Sequence, residues 1–166
     1  MHLEDSLSAL ETVRRFGGSV VDVGSGGGAP GIPLAAALPE REITLLESNR
    51  RKCIFLERWA AELPNLHAVC GRAEEQPVDT YGVAVAKALA SPPVAAEWCL
   101  PLVAPGGAAV LFVGPSAESA RVAAVAEQLA AQLVESPPGL LVLGKLGPTP
   151  PGFPRRPGVG RKRPLA

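Results

Sequence analysis

Residues 19–31, Ser-Val-Val-Asp-Val-Gly-Ser-Gly-Gly-Gly-Ala-Pro-Gly, join a short apolar run to a glycine-rich loop. The run Ser19–Val23 has the length and the β-branched content of a buried strand. The glycines that follow permit a sharp turn and let the backbone approach a ligand closely. An apolar segment at about Ile32–Leu38 is typical of a helix. The stretch therefore predicts a strand, a ligand-binding loop and a helix in direct succession.

The rest of the chain alternates between the same two kinds of element. Further strand patterns follow the first at about Glu42–Leu46, Leu66–Cys70, Tyr81–Ala86, Ala108–Val113 and Leu140–Leu143. Helical patterns lie between and before them, at about His2–Phe16, Ile32–Leu38, Ser48–Glu62, Val94–Leu102 and Ser116–Leu133. Strands that alternate with helices form a mainly parallel sheet that is covered on both faces. The sequence thus predicts an α/β fold.

The glycine loop is compatible with two classes of cofactor. Its pattern Gly24-x-Gly26-x-x-Ala29 also occurs in dinucleotide sites, where a pyrophosphate lies on a helix N-terminus. Asp22, near the end of the first strand, would repel a pyrophosphate but suits the ammonium group of a methionine moiety, directly or through water. Two prolines at positions 30 and 33 remove N–H donors that an anion needs. These details favour S-adenosylmethionine, with a nicotinamide dinucleotide as the alternative.

Later strand ends supply further candidate cofactor residues. Glu47 stands 23 residues after Gly24, and a right-handed βαβ unit brings its carboxylate to the same crevice, where it can accept both ribose hydroxyls. Ala73 and Glu74 follow the third strand, and their backbone groups are candidates for recognition of adenine. Lys87 ends the fourth strand. We expect it to project into the crevice, because a lysine is rarely buried without a partner in so apolar a run.

Charge is unevenly distributed along the chain. The 166 residues include sixteen basic and sixteen acidic side chains, and a formal net charge of zero excludes strong global steering toward nucleic acid. Residues 153–166 nevertheless hold five basic residues and no acid, whereas the preceding 152 residues carry a formal charge of −5. An extended basic segment can contact RNA phosphates. The candidate RNA contacts are Arg155, Arg156, Arg161, Lys162 and Arg163.

The same boundary predicts the domain organisation. We expect residues 1–146 to form one domain and residues 147–166 to form a basic C-terminal segment, since the segment has too much proline and glycine for a regular element. The alternative is that this segment only keeps the protein in solution. We expect a monomer.

Other chemistries receive little support. Cys53, Cys70 and Cys99 are far apart and odd in number, so we expect reduced thiols in a cytoplasm rather than a disulfide framework or a zinc site. The two histidines share no metal-ligand spacing, and no Ser-His-Asp arrangement is present. We therefore expect no metal. The longest uncharged stretch contains several prolines and cannot be a membrane helix, so we expect no membrane partner.

The chain resembles the bacterial 16S ribosomal RNA guanine-N7 methyltransferases, a family also called glucose-inhibited division protein B. The similarity covers nearly the whole chain and is specific in its first and last blocks, because other methyltransferase families lack the runs Pro-Gly-Ile-Pro and Pro-Arg-Arg-Pro-Gly. The matching blocks are His2–Leu7, Asp22–Pro33, Glu47-Ser48, Gly71–Glu75, Phe153–Val159 and Lys162–Leu165.

The resemblance implies a Rossmann-like class I S-adenosylmethionine-dependent methyltransferase with a seven-stranded, mostly parallel sheet. Residues 1–146 would be its methyltransferase domain. Its substrate would be 16S ribosomal RNA or a precursor of the small ribosomal subunit. The resemblance also implies that the cofactor contacts are Gly24, Ala29, Ala73, Glu74 and Lys87, and that Glu47 is the ribose-binding acid. The chain departs from the family pattern at Val113-Gly114, where relatives carry Lys-Gly, and at Lys87, where arginine is usual.

The implied reaction needs no general base, because guanine N7 has a lone pair and no proton to lose. We therefore assign no catalytic residue. The protein has to align N7, the methyl carbon and the departing sulfur, and to exclude water. Two alternatives are a cofactor-binding relative with reduced or lost rRNA methylation, which Val113 favours, and a small-molecule methyltransferase, which the basic segment disfavours.

Overall fold

The computed structural model describes residues 3–166 and is built around a seven-stranded sheet. The strands are Val20–Val23 (β1), Ile43–Glu47 (β2), Leu66–Cys70 (β3), Tyr81–Lys87 (β4), Val103–Phe112 (β5), Ala131–Glu135 (β6) and Leu140–Lys145 (β7). Their order across the sheet is β3-β2-β1-β4-β5-β7-β6. Strand β7 runs antiparallel to both of its neighbours, and the other strand pairs are parallel. The predicted mostly parallel, seven-stranded sheet is confirmed.

Helices cover both faces of the sheet. They are Leu3–Leu7 (α1), Leu10–Arg14 (α2), Gly31–Ala37 (α3), Arg50–Ala60 (α4), Pro92–Cys99 (α5), Ser119–Gln128 (α6) and Val159–Lys162 (α7). Helices α5 and α6 contribute to one buried cluster, and α2, α3 and α4 contribute to the other. Within residues 3–166, we find no helix that combines the length and the apolar character required to cross a membrane.

Side chains of the central strands alternate between two buried clusters, one on each face of the sheet. In β4, Val83 and Val85 belong to one cluster, while Ala84 and Ala86 belong to the other. Side chains of a strand point alternately to opposite faces, so a run that is apolar throughout is buried on both sides. This explains why the strands at the centre of the sheet read as continuous apolar runs rather than alternating ones.

The predicted helix over Ser116–Leu133 is confirmed over Ser119–Gln128 and wrong at its C-terminal end. Helix α6 ends at Gln128, and Ala130 adopts a positive φ of 57° that turns the chain into strand β6. Strand β6 is an edge strand whose burial alternates along its length. Its pairing with β7 is a long-range interaction, which a short local pattern cannot reveal.

The amino-terminal prediction is also corrected. The predicted helix over His2–Phe16 is divided into α1 and α2, and His2 itself lies outside the described residues. The break lies at Ser8 and Ala9, and Ser8 Oγ donates there to the carbonyl oxygen of Asp5 at 2.7 Å. A serine that bonds to the backbone in this way competes with the helical hydrogen bonds.

Two cysteines form a disulfide that contradicts the expectation of reduced thiols. Cys53 on α4 and Cys70 at the end of β3 are paired, with Cα atoms 5.7 Å apart. Cys99 is buried and free. The two cysteines are seventeen residues apart in the sequence, and the sequence alone did not indicate that they pair. The βα unit folds back on itself and brings the start of the helix beside the end of the next parallel strand.

The C-terminal segment is packed on the domain and contains helix α7, which corrects the prediction of a segment without regular structure. Phe153 and Leu165 pack against the core cluster on the α5 side of the sheet. The carbonyl oxygen of Ala166 accepts a hydrogen bond from Arg121 Nη2 at 2.6 Å. The segment therefore has fixed contacts with α5 and α6.

Candidate functional site

The main crevice opens at the carboxyl edge of the parallel strands. It lies where β1 and β4 are neighbours and the chain connections lead off in opposite directions, the usual position of ligand sites in open α/β sheets. Its volume is about 730 Å³. Its lining includes all but one of the predicted cofactor residues, namely Gly24, Gly26, Ala29, Glu47, Ala73, Glu74 and Lys87.

The glycine loop is shaped by close approaches of its backbone. Gly24 has a φ of +70°, and a Cβ atom there would lie 2.4 Å from Leu89 Cδ1. A Cβ on Gly31 would lie 2.8 Å from Asp22 Oδ2. Only glycine fits at both positions without backbone strain or a steric clash. The loop therefore presents bare backbone to the crevice while its other side packs tightly on the sheet.

Glu47 is nearly buried and fixes the loop. Its Oε1 accepts a hydrogen bond from the backbone N–H of Gly26 at 2.9 Å, and its Oε2 accepts one from the N–H of Asn49 at 2.8 Å. A carboxylate has about four lone-pair positions, so each oxygen retains capacity for a further donor. Glu47 can thus order the loop and accept ribose hydroxyls at the same time.

Asp22 is the one predicted cofactor residue that lies beneath the loop instead of on the crevice wall. Its side chain is buried, and Oδ2 accepts a hydrogen bond from the N–H of Gly31 at 2.9 Å. Oδ1 has no hydrogen-bond partner among residues 3–166. Burial raises the pKa of this carboxyl to about 7, against the smaller lowering effect of the Gly31 N–H. This placement supports a role in holding the loop, and direct contact with a methionine ammonium stays a prediction.

The pKa of Asp22 predicts a pH dependence of stability. In unfolded chains an aspartate titrates near pH 3.9, so between about pH 4 and 7 the folded protein holds a proton that the unfolded chain has lost. The free energy of unfolding should fall across this range, by on the order of 4 kcal/mol at most. The variant Asp22→Asn cannot titrate and should lose this part of the slope. Urea unfolding of both proteins at pH 5 and pH 8 measures the difference, and parallel pH profiles would contradict it.

The third strand end and the C-terminal segment meet at one wall of the crevice. Ala73 and Glu74 form a short helical turn after β3. The carboxylate of Glu74 accepts a hydrogen bond from the N–H of Gly158 at 2.9 Å. Its side chain therefore ties the predicted adenine-binding turn to the C-terminal segment, a contact that sequence reasoning did not foresee.

Lys87 lies at a boundary between two cavities. It lines the main crevice and also a second cavity of about 590 Å³. Its Nζ lies 5.4 Å from the centroid of the Phe112 ring, a cation–π distance. The predicted projection of Lys87 from the end of β4 into the crevice agrees with this placement.

Arg155, a predicted RNA contact, is held by an ion pair within the protein. Its Nε and Nη2 donate to the two carboxylate oxygens of Glu97 at 2.7 and 2.5 Å. The Glu97 side chain is only 4% exposed, and the hydrogen bonds raise the pKa of the Arg155 guanidinium. A bidentate pair of this kind is a structural anchor. The signal that could have revealed this pair was an acidic residue, Glu97, inside the otherwise apolar helix α5.

The other basic residues of the segment occupy two environments. Arg161 packs over the Trp98 ring at 5.3 Å, and both Arg161 and Lys162 line the main crevice. Arg156 and Arg163 are exposed side chains on the surface of the segment. Sequence reasoning assigned all of them to RNA and missed that part of this segment forms a wall of the crevice.

A family model and individual relatives both identify one family of proteins that this chain is similar to. The family model described as rRNA small subunit methyltransferase G matches residues 1–136. A ribosomal RNA small subunit methyltransferase G from Synechococcus sp. is 36% identical, with 99% of this chain and 73% of the relative covered. The protein of the same name from Rubrobacter xylanophilus is 39% identical, with 99% and 72% covered.

Solved structures agree on the fold. A SAM-dependent O-methyltransferase from Thermotoga maritima superposes with a TM-score of 0.66 at 14% identity, covering 88% of this chain and 66% of that one. A 16S rRNA N2 G1207 methyltransferase from T. thermophilus, solved with AdoMet and guanosine, superposes with a TM-score of 0.62 at 20% identity, covering 89% and 40%. At these identities the likeness shows a class I methyltransferase fold.

Proposed function

The chain belongs to the rRNA small subunit methyltransferase G family, and from that premise we propose how its residues divide the work of methylating N7 of a guanine in 16S ribosomal RNA. The protein is an S-adenosylmethionine-dependent rRNA methyltransferase. The observation that carries the assignment is the buried carboxylate of Glu47 in the crevice beside the glycine loop, where β1 and β4 are neighbours.

The crevice fits the cofactor that the family uses. S-adenosylmethionine supplies an electrophilic methyl group on a positively charged sulfur. In our proposal Glu47 accepts the ribose hydroxyls, and the turn at Ala73 and Glu74 contacts adenine. The loop from Gly24 to Ala29 holds the methionine end, with Asp22 fixing the loop from beneath.

The residues around Lys87 then position the acceptor. N7 forms the new bond as the carbon–sulfur bond breaks, so no proton has to move and the protein acts by orienting groups and excluding water. Lys87 ends β4 at the boundary between the crevice and the second cavity, so it is the residue best placed between cofactor and acceptor.

We also propose that exposed cations of the C-terminal segment contact RNA phosphates. Arg156 and Arg163 take this role, since Arg155 is held by Glu97. Each phosphate contact with single-stranded RNA adds about −0.7 to the salt slope of binding. The variant Arg156→Ala/Arg163→Ala should therefore reduce that slope by about 1.4.

The matched control removes the same charge elsewhere. Arg14 and Arg58 are exposed on α2 and α4, so Arg14→Ala/Arg58→Ala should leave the slope close to that of the unmodified protein. RNA affinity measured by fluorescence anisotropy across a salt series gives the three slopes. Equal slopes for both double variants would place the RNA contacts on other residues.

The partner and compartment follow from the same proposal. Because 16S ribosomal RNA, free or in a precursor of the small subunit, is found in the bacterial cytoplasm, we propose that the protein acts there, and we propose that it does so as a monomer. The test is to map N7-methylguanine in 16S rRNA from cells with and without the gene. Methyl transfer by the purified protein to rRNA from the deletion strain completes the test. If the modification is the same in both strains, the proposed substrate is wrong. Cofactor binding without transfer to rRNA would indicate a relative that has lost methylation.

A further inference from the structure

The second cavity lies beside the cofactor crevice and shares two wall residues with it. Lys87 and Ala88 line both. The volume of about 590 Å³ is within the range of small-ligand pockets. Its other walls come from α1 and the residue after it, from the end of β5 and from the turn before β7. They include Asp5, Ser8, Phe112, Gly114, Pro138 and Gly139. A group in this cavity would face the cofactor across the shared residues.

The two charged side chains of this cavity have opposite character. Asp5 contributes a carboxylate, which only accepts hydrogen bonds, and Lys87 contributes an ammonium group, which only donates them. Lys87 Nζ lies 5.4 Å from the centroid of the Phe112 ring. This cation–π contact helps to hold the ammonium group in place at the end of β4. Phe112 supplies an aromatic ring of the kind on which nucleobases stack, and the prolines at 92 and 138 add apolar surface.

We propose that this cavity binds the acceptor guanine and that Asp5 and Lys87 select guanine over adenine. Guanine carries acceptors at N7 and O6, and donors at N1 and the exocyclic amino group. Lys87 donates to O6, next to N7, and this leaves the N7 lone pair facing the shared mouth of the two cavities. Asp5 accepts from the N1–H and the amino group on the opposite edge. This inference rests on the rRNA methyltransferase activity proposed above.

Adenine would meet the wrong partner on both edges. It places an amino donor where guanine has O6, so that Lys87 would face a donor, and its unprotonated N1 would face the Asp5 carboxylate. The Asp5 carboxylate also favours the reaction itself. Methylation at N7 leaves the base positively charged, and a nearby negative charge stabilises that product and offsets the effect of the Lys87 ammonium group.

The first test measures binding without turnover. Protein saturated with S-adenosylhomocysteine is titrated with guanosine, inosine and adenosine 5′-monophosphates, and affinities are read from NMR chemical-shift changes. The unmodified protein should prefer the guanine nucleotide, with inosine between the two because it lacks the amino group. Asp5→Asn should reduce the preference for guanine over adenine about 10-fold or more, in line with the discrimination of one bidentate contact.

The control is the neighbouring acid on the same helix. Glu4 is exposed and is not part of the cavity wall, so Glu4→Gln removes the same charge and should keep the preference for guanine. Both variants should bind S-adenosylhomocysteine like the unmodified protein. A retained preference in Asp5→Asn, or no preference in the unmodified protein, would overturn the assignment.

The second test separates this inference from the proposed function. Methyl transfer to small ribosomal subunits from the deletion strain should fall about 10- to 100-fold in Asp5→Asn and remain unchanged in Glu4→Gln. If the unmodified protein transfers no methyl group, the proposed function fails, whatever the nucleotide titrations show. If it does transfer and Asp5→Asn transfers equally well, the proposed function stands and the role of Asp5 is wrong.

Discussion

Replacing Glu47 with alanine is expected to lower the affinity for S-adenosylhomocysteine by about two orders of magnitude, or about 3 kcal/mol. The variant loses the proposed hydrogen bonds to the ribose and also leaves the N–H groups of Gly26 and Asn49 without their carboxylate. The glycine loop beside the proposed cofactor site is thereby loosened as well. Isothermal titration calorimetry measures the loss.

A matched control stands at the opposite end of the same strand. Glu42, just before β2, has a largely exposed side chain whose carboxylate contacts His67. Glu42→Ala removes the same charge far from the carboxyl edge and should leave the affinity unchanged. Glu47→Gln should fall between the two, since an amide keeps one acceptor oxygen but presents a donor to the other N–H group. Wild-type affinity in Glu47→Ala would refute the assignment of the ribose site.

Replacing Arg155 with alanine is expected to reduce the free energy of unfolding by about 3 kcal/mol, because it leaves the buried carboxylate of Glu97 unpaired. The same change should weaken cofactor binding, since Gly158 and Arg161, which line the crevice, lie on the segment that this pair anchors. Urea unfolding and calorimetry with S-adenosylhomocysteine measure the two effects.

The neighbouring Arg156 is the control for Arg155. It is exposed, so Arg156→Ala removes an equal charge and should change neither stability nor cofactor affinity. Arg155→Lys should be intermediate, because a lysine keeps the charge but cannot form the bidentate contact. Glu97→Gln combined with Arg155→Ala should recover part of the lost stability, because no buried charge then remains unpaired. Equal stability of Arg155→Ala and Arg156→Ala would show that the pair does not anchor the segment.

Much of the fold and most of the crevice lining could be predicted from local patterns. The position of Glu47 after the second strand, combined with the handedness of a βαβ unit, was sufficient to place its carboxylate in the crevice. The apolar runs of β1 and β4 were sufficient to identify strands that are buried on both faces. These features depend on neighbours in the sequence or on general rules of chain topology.

The features that the sequence did not reveal depend on contacts between distant parts of the chain. Arg155 and Glu97 are 58 residues apart, and composition alone gives no reason to expect this ion pair. Cys53 and Cys70 pair only because α4 folds back along β3. Strand β6 exists because β7 is beside it. In each case the partner, and not the local sequence, determines the structure.

The docked C-terminal segment also affects the order in which the protein becomes functional during synthesis. Gly158, Arg161 and Lys162 complete the wall of the cofactor crevice, yet they are translated after every strand of the sheet. A chain that has formed only the preceding elements therefore lacks part of the proposed cofactor pocket until this segment docks and pairs Arg155 with Glu97. In our proposal, binding of S-adenosylmethionine thus depends on a part of the chain that is synthesised after the whole sheet.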